Sequence, residues 1–295
     1  MNFDRAIPEA FIATLFLCLA FILAPAHADD LYKIALPQSE QDVRASYPLA
    51  LLESALKKTE RTYGSYQIQF TEQMRRNRAL VELVKGESIN VHVAPTRTEW
   101  EEKVITIYFP VRKGLLGYRL FLINSEDLDE FSKIQNIEEL KALRAGLGSQ
   151  WSITKAMRSL GFKIIDAPDY EGLFGMLSER RFDYFPRGIN EIYNEYSNRR
   201  QKYPSMAIEP TKSLYIPLPT YFFVSPNAPR LAKRIKEGFW IMHDDGSFSE
   251  LFYSYNQRFI KEANLRTRTI LRTSNPHIPK HPIFDKPDLW FTPED

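Results

Sequence analysis

The sequence predicts an α/β protein of two lobes, each a mixed sheet flanked by helices, with a double hinge between them. Three observations predict it. Strand-like and helix-like segments alternate along nearly the whole chain. The opening runs βαβαβ, the order that feeds a parallel sheet through right-handed helical crossovers. Only two stretches, near residues 116–120 and 211–220, suit a passage from one such unit to a second. Lobe 1 is then expected to combine residues 29–117 with 214–295, and lobe 2 to be the insertion 118–213.

Each element has its own signal. Leu31–Leu36 and Tyr66–Phe70 read as strands, and Ile89–Ala94 as a third. Between them, Ser46 is placed to cap a helix with Pro48 in its first turn and Leu49, Leu52 and Leu56 on one face. Thr71 is placed to cap a second helix, through Lys85, that buries Leu80, Leu83 and Val84. A second round opens on the apolar strand Tyr118–Ile123. Helix Ile137–Leu143, strand Leu143–Leu147, helix Ser152–Leu160 and strand Phe162–Asp166 follow. Helix Tyr170–Arg180 buries Leu173, Met176 and Leu177 and leads to a short strand, Asp183–Phe185. The next helix starts near Ile189, where Ile189, Ile192, Tyr193 and Tyr196 share a stripe. Leu214–Ser225 is strand-like but broken by Pro217 and Pro219. Helices Pro229–His243 and Ser247–Glu262 flank Asp245-Gly246. Five prolines between Asn275 and Pro293 make the tail an extended strap.

Composition narrows the function. Thirty-nine Lys+Arg against thirty-seven Asp+Glu give no basic excess for nucleic acid. One cysteine excludes a disulfide framework, and the five histidines lack metal-ligand spacing, so no metal is expected. Neither GxxxxGK[ST] nor GxGxxG occurs, and no cofactor is expected.

The first residues read as an export signal. Arg5 precedes the apolar run Phe11–Ala24, and Ala26-His27-Ala28 offers small residues where a signal peptidase cuts. A helix of that run spans about 21 Å, short of the roughly 30 Å hydrocarbon core. Residues 1–28 are therefore expected to be a cleaved signal peptide and the periplasm the destination. The surroundings of Cys18 lack the small-residue box of a lipid anchor. Cleavage would leave 38 basic and 35 acidic residues and no cysteine, which suits that compartment.

The order of the pieces resembles type 2 periplasmic solute-binding proteins, specifically the family 3 group that serves amino-acid ABC transporters, over nearly the whole mature chain. The pieces are the segment Val93-Ala94-Pro95-Thr96-Arg97-Thr98-Glu99, strand Tyr118–Ile123 and the turn Gly148-Ser149-Gln150-Trp151. Arg181-Phe182-Asp183 matches the family's G-R-x-D end, the return strand runs through Tyr221–Ser225, and Asp245-Gly246-Ser247-Phe248 matches its late D-G-[ST] turn. The resemblance implies a solute held between the lobes and, as partner, an inner-membrane ABC permease or a sensor, with the protein a monomer. It implies a binding protein; an enzyme like cyclohexadienyl dehydratase on the same scaffold is the alternative.

The family's anchors are not kept. Glu101 stands where the resemblance implies the arginine for an α-carboxylate, and Gly188 where it implies the acid for an ammonium. Pro37-Gln38-Ser39 replaces the usual acidic-plus-aromatic pattern after the first strand. The expected ligand is thus a small polar or anionic solute. Arg187, at a strand end, could clamp an anion bidentately or pair with Glu191. Ser149 and Gln150 could touch ligand at their turn or cap the next helix, and Trp151 could stack on ligand or simply pack. Thr96 and Arg97 follow the third strand. Thr96 offers a hydroxyl, and Arg97 either replaces the missing arginine or pairs with Glu99 or Glu101. Arg75 and Arg76 read as a solvated helix face that could steer anions. His92 reads as a packed core histidine.

Overall fold

The computed structural model describes residues 29–36 and 45–293. The expected signal peptide and the Pro37-Gln38-Ser39 reading lie outside them. From the amino end come β1 (Asp30–Ala35), α1 (Ser46–Lys58), α2 (Glu60–Tyr63), β2 (Tyr66–Thr71), α3 (Arg76–Lys85), β3 (Val91–Pro95), α4 (Thr98–Lys103) and β4 (Ile105–Ile107). Next are β5 (Tyr118–Asn124), α5 (Leu128–Ser132), α6 (Ile137–Ala142), β6 (Arg144–Gly148), α7 (Ser152–Ser159), β7 (Lys163–Ala167) and α8 (Tyr170–Ser178). They are followed by β8 (Phe185–Gly188), α9 (Ile192–Arg199), β9 (Met206–Ile208) and β10 (Lys212–Tyr215). The chain ends with β11 (Thr220–Val224), α10 (Pro229–Asp244), α11 (Ser247–Ala263) and β12 (Thr269–Arg272).

The architecture is mixed α/β, with sheets flanked by helices. β1 and β2 form a parallel pair, and β11 lies between β3 and β4, antiparallel to both. β1 joins β3 without a ladder: Asn90 donates its backbone N–H to the Lys33 carbonyl, and its side-chain oxygen accepts from the Lys33 N–H. The second sheet runs β12-β10-β5-β8, with β9 also on β5, and β6 and β7 pair parallel beside it. All of β5 is buried, as its apolar sequence requires. The chain passes between the two groups of strands through residues 108–117 and 216–219, where Pro217 and Pro219 separate β10 from β11, and again after α11, where β12 joins β10 on the second sheet.

Local chemistry moved some boundaries. Thr71 does not cap a helix, because β2 takes it into its ladder opposite Ala35; α3 starts at Arg76 instead. Val84 is 37% exposed, on the outer face of α3. Ser46 lies inside α1, where Ala45 is the residue before the first turn, and Leu49 is only half buried. The helix expected from Ile189 begins at Ile192, since Glu191 folds back and accepts the Gly188 N–H at 2.9 Å. Strands β4, β9 and β12 are three or four residues long, too short to show a period.

The strap is extended only in part, since Pro282–Asp285 and Pro287–Leu289 coil into 3₁₀ turns, and it crosses both groups of strands. Thr98 of α4 donates to the His277 carbonyl at 3.1 Å, while the His277 imidazole shares a 2.7 Å hydrogen bond with Ser159 at the end of α7. Asn275 donates to the Pro217 carbonyl, and Lys113 to the Asp288 carbonyl, so both crossings are tied to the tail. Ile283, Leu289 and Phe291 are buried in the main core.

Candidate functional site

A cavity of about 530 Å³ opens between the two groups of strands. One wall is the carboxyl ends of β1 and β3 with the first turns of α1 and Arg76 of α3. The other is Arg119 of β5, the turn before α7, and Arg187 to Glu191 after β8. Arg112, Leu116, Leu218 and Thr220 line it from the two crossings. Its size falls within the roughly 300–1,000 Å³ of small-molecule pockets. Leu52, Val91, Val93, Phe222 and Trp151 make much of the surface apolar.

Four guanidiniums, on Arg76, Arg112, Arg119 and Arg187, line the cavity, and Glu191 is the one carboxylate there among the described residues. Arg187 is fully buried by neighbours that satisfy it. Its Nε and Nη2 donate to Glu195 at 2.7 and 2.5 Å, and Glu191 lies 3.3 Å away. It also sits over the Trp151 ring at 4.6 Å and the Phe185 ring at 4.9 Å. Burial alone would lower its pKa; Glu191 and Glu195 outweigh that and hold it above the usual arginine value.

Arg119 is less well served. It is 3% exposed, its one acid is Glu191 at 3.5 Å, and its Nε finds no partner. Burial pulls its pKa down to about 10, against the pull of Glu191. Arg76 has no ion pair among the described residues. Its Nη2 donates to the Pro95 carbonyl, its Nε is unpartnered, and its plane lies over Trp100 at 5.5 Å. Burial, and then Arg97, push it well below the ordinary value. Arg112 is buried over the Tyr47 ring at 5.6 Å. His92 packs on Trp100, and burial with Arg76 nearby pushes its pKa down to about 3, so it stays neutral. Asn190 Oδ1 and Thr220 Oγ1, also on the wall, are buried without a partner. Buried polar atoms are normally satisfied, so such a cluster marks a place where a ligand's groups fit.

Of the six residues singled out from sequence, Trp151 and Arg187 line the cavity. Trp151 reaches it because Gly148 lacks a side chain: a Cβ there would run into the indole. The indole stacks on Phe185 at 6.0 Å. The other four lie off the wall. The Thr96 hydroxyl donates to Glu101, which also accepts from Tyr108, so Glu101 faces away from the cavity. Arg97 donates to the Gln150 carbonyl and, at 3.1 Å, to Ser152 Oγ, joining β3's end to the α7 turn. Ser149 is exposed and its N–H is taken by the Ala167 carbonyl. Asp169 caps α8, and Tyr170 in its first turn donates to Glu195 at 2.6 Å. Arg112 and Arg119 were not singled out. The readable signal was Arg119 standing inside an otherwise apolar strand, where a charge needs a partner. Arg76 belongs to the wall rather than to a solvated face, while its neighbour Arg75 is exposed.

The fold, mixed α/β with sheets flanked by helices, is that of solved periplasmic binding proteins. Known structures carry the same fold. An ancestral arginine-binding protein bound to arginine is 16% identical, with 78% of this chain and 99% of that one covered at a TM-score of 0.56. A periplasmic binding protein of Salmonella typhimurium with high arginine specificity is 10% identical over 77% of this chain and 99% of its own, at a TM-score of 0.55. An ancestral amino acid-binding protein, a precursor of cyclohexadienyl dehydratase, is 13% identical over 76% and 95%, at 0.54. At these identities the likeness is one of fold. The sequence matches no protein-family model and no curated protein.

Proposed function

We propose that this protein is a divergent member of the family 3 solute-binding proteins and captures a small anionic solute in the cavity, in the periplasm, for an inner-membrane ABC permease. The observation that carries the reading is the cavity itself: on a largely apolar wall, Arg76 and Arg119 each keep a buried Nε–H without a partner. In low dielectric, charges short of a partner are costly, and an anion placed among them removes that cost. The lobes are residues 29–117 with 214–295 and the insertion 118–213, except that β12 runs with β10 on the second sheet, after a signal peptide of residues 1–28. They close by hinge motion through the two crossings. Arg97, bonded to Gln150 and Ser152, holds the closed arrangement, and Trp151 and Arg187 form the floor under the solute. The protein acts as a monomer without cofactor.

An enzymatic role on this scaffold requires a group free to move a proton. Glu191 is bound by Arg119, by Arg187 and by the Gly188 N–H, so its oxygens are already engaged as acceptors within the protein. That favours binding over catalysis. A sensor partner in place of a permease uses the same site, and a neighbouring permease gene would separate the two.

Native mass spectrometry of protein purified from the periplasm tests the reading. A co-purified anionic small molecule, lost on denaturation, is the expected result. Protein that carries no solute, and whose melting temperature is unmoved by a panel of organic acids and amino acids, would overturn it.

A further inference from the structure

We infer that the solute is a dicarboxylate without an ammonium group, its apolar middle on Leu52, Val91 and Phe222, one carboxylate taken by Arg76 and the other by Arg119. This rests on the cavity being a solute site. The two guanidiniums belong to opposite walls: Arg76 opens α3 and is bonded to the end of β3, whereas Arg119 lies on β5 opposite Gly188 of β8. Each is short of acid. Arg76 has no ion pair among the described residues, and Arg119 shares Glu191, at 3.5 Å, with Arg187, at 3.3 Å. Each also keeps an unpartnered Nε–H. Arg187, by contrast, is saturated by Glu195 and has no spare charge to offer.

Among the described residues a cation has no seat: their one carboxylate on the wall is engaged by two arginines and a backbone N–H, and a ligand ammonium would meet Arg76 and Arg119 instead. The apolar stretch between the two anchors calls for methylene or ring carbon rather than further polar groups. A ligand charged at both ends bridges the walls, so that its binding and the closing of the cavity are one event.

Calorimetric titration of the purified protein with straight-chain dicarboxylates of four to eight carbons, the matched monocarboxylates, and α-amino acids including glutamate decides the matter. The expected result is a dicarboxylate of one preferred length that binds at least about tenfold tighter than its monocarboxylate, with glutamate no better than the monocarboxylate. Arg76→Gln and Arg119→Gln should each abolish that preference, and Arg119→Lys should keep part of it. Circular dichroism melts accompany each variant, and the wild-type ligand series stands by itself if a variant fails to fold. Equal binding of mono- and dicarboxylates, or tighter binding of amino acids at the same site, would overturn the dicarboxylate inference and leave the solute-binding reading intact. Silence from every ligand, together with no co-purified solute, would remove both.

Discussion

Arg187 and Arg76 line one cavity but do opposite jobs. Arg187 completes a buried network in which it donates two short hydrogen bonds to Glu195 and Tyr170 donates a third to the same carboxylate. Its removal strands that carboxylate in the interior. Arg187→Met is expected to lower stability by about 3–5 kcal/mol, and Arg187→Met with Glu195→Met to recover most of it, read by urea denaturation. Arg76→Gln strands no acid and should cost only about 1 kcal/mol, so its effect shows in ligand binding. His92 sets a pH limit. Its folded pKa, about 3, lies below the unfolded value near 6.5, so the unfolded chain takes up a proton that the folded one refuses. Stability should therefore fall as pH drops through that window, by up to about 1.4 kcal/mol per unit from this residue. His92→Phe should flatten the slope between pH 6 and pH 4; an unchanged slope would assign the loss to other groups.

Among the elements, α10 does most to hold the first group of strands together. Arg234 in its middle is fully buried and bonds Asp30 of β1, Thr59, and the carbonyls of Leu56, Gly64 and Ser65. One turn on, Gly238 brings α10 against α1, where a Cβ would lie 2.5 Å from the Ala55 carbonyl. Gly238→Val is expected to cost about 1–3 kcal/mol by forcing the helices apart, measured as a drop in the denaturant midpoint. Such contacts explain what the sequence could and could not disclose. The long helices α1, α10 and α11 and strands β1, β3 and β5 were readable because burial alone sets their patterns. β4, β9 and β12 exist only through pairing with distant strands and have no period of their own. At the cavity, Arg187 and Trp151 were readable from their turns, whereas the role of Glu195, eight residues beyond Arg187 on the next helix, depended on how α9 packs. Arg119 was hidden because its strand reads as core.

On the scale of the whole molecule, the strap is part of the architecture. It buries Ile283, Leu289 and Phe291 in the main core, stacks His281 on Tyr108 at 3.8 Å and lays Trp290 against Phe284. Each buried apolar side chain contributes about 1.5–3 kcal/mol. A chain ending at Ser274 should therefore melt well below the full-length protein, by ten degrees or more in calorimetry, and an unchanged melting temperature would reduce the strap to decoration.

The strap's contacts also impose an order of assembly. Thr98 meets His277 across 179 residues, and Lys113 meets Asp288 across 175. The cavity wall, in contrast, draws on nothing later than Phe222. During synthesis every described wall residue is made some fifty positions before Asn275, and further still before Asp288, the two residues that tie the crossings. A chain grown only as far as Phe222 thus holds every described wall residue but none of the contacts by which residues 275–291 tie the two crossings together, so the wall and its ties are separate events in synthesis.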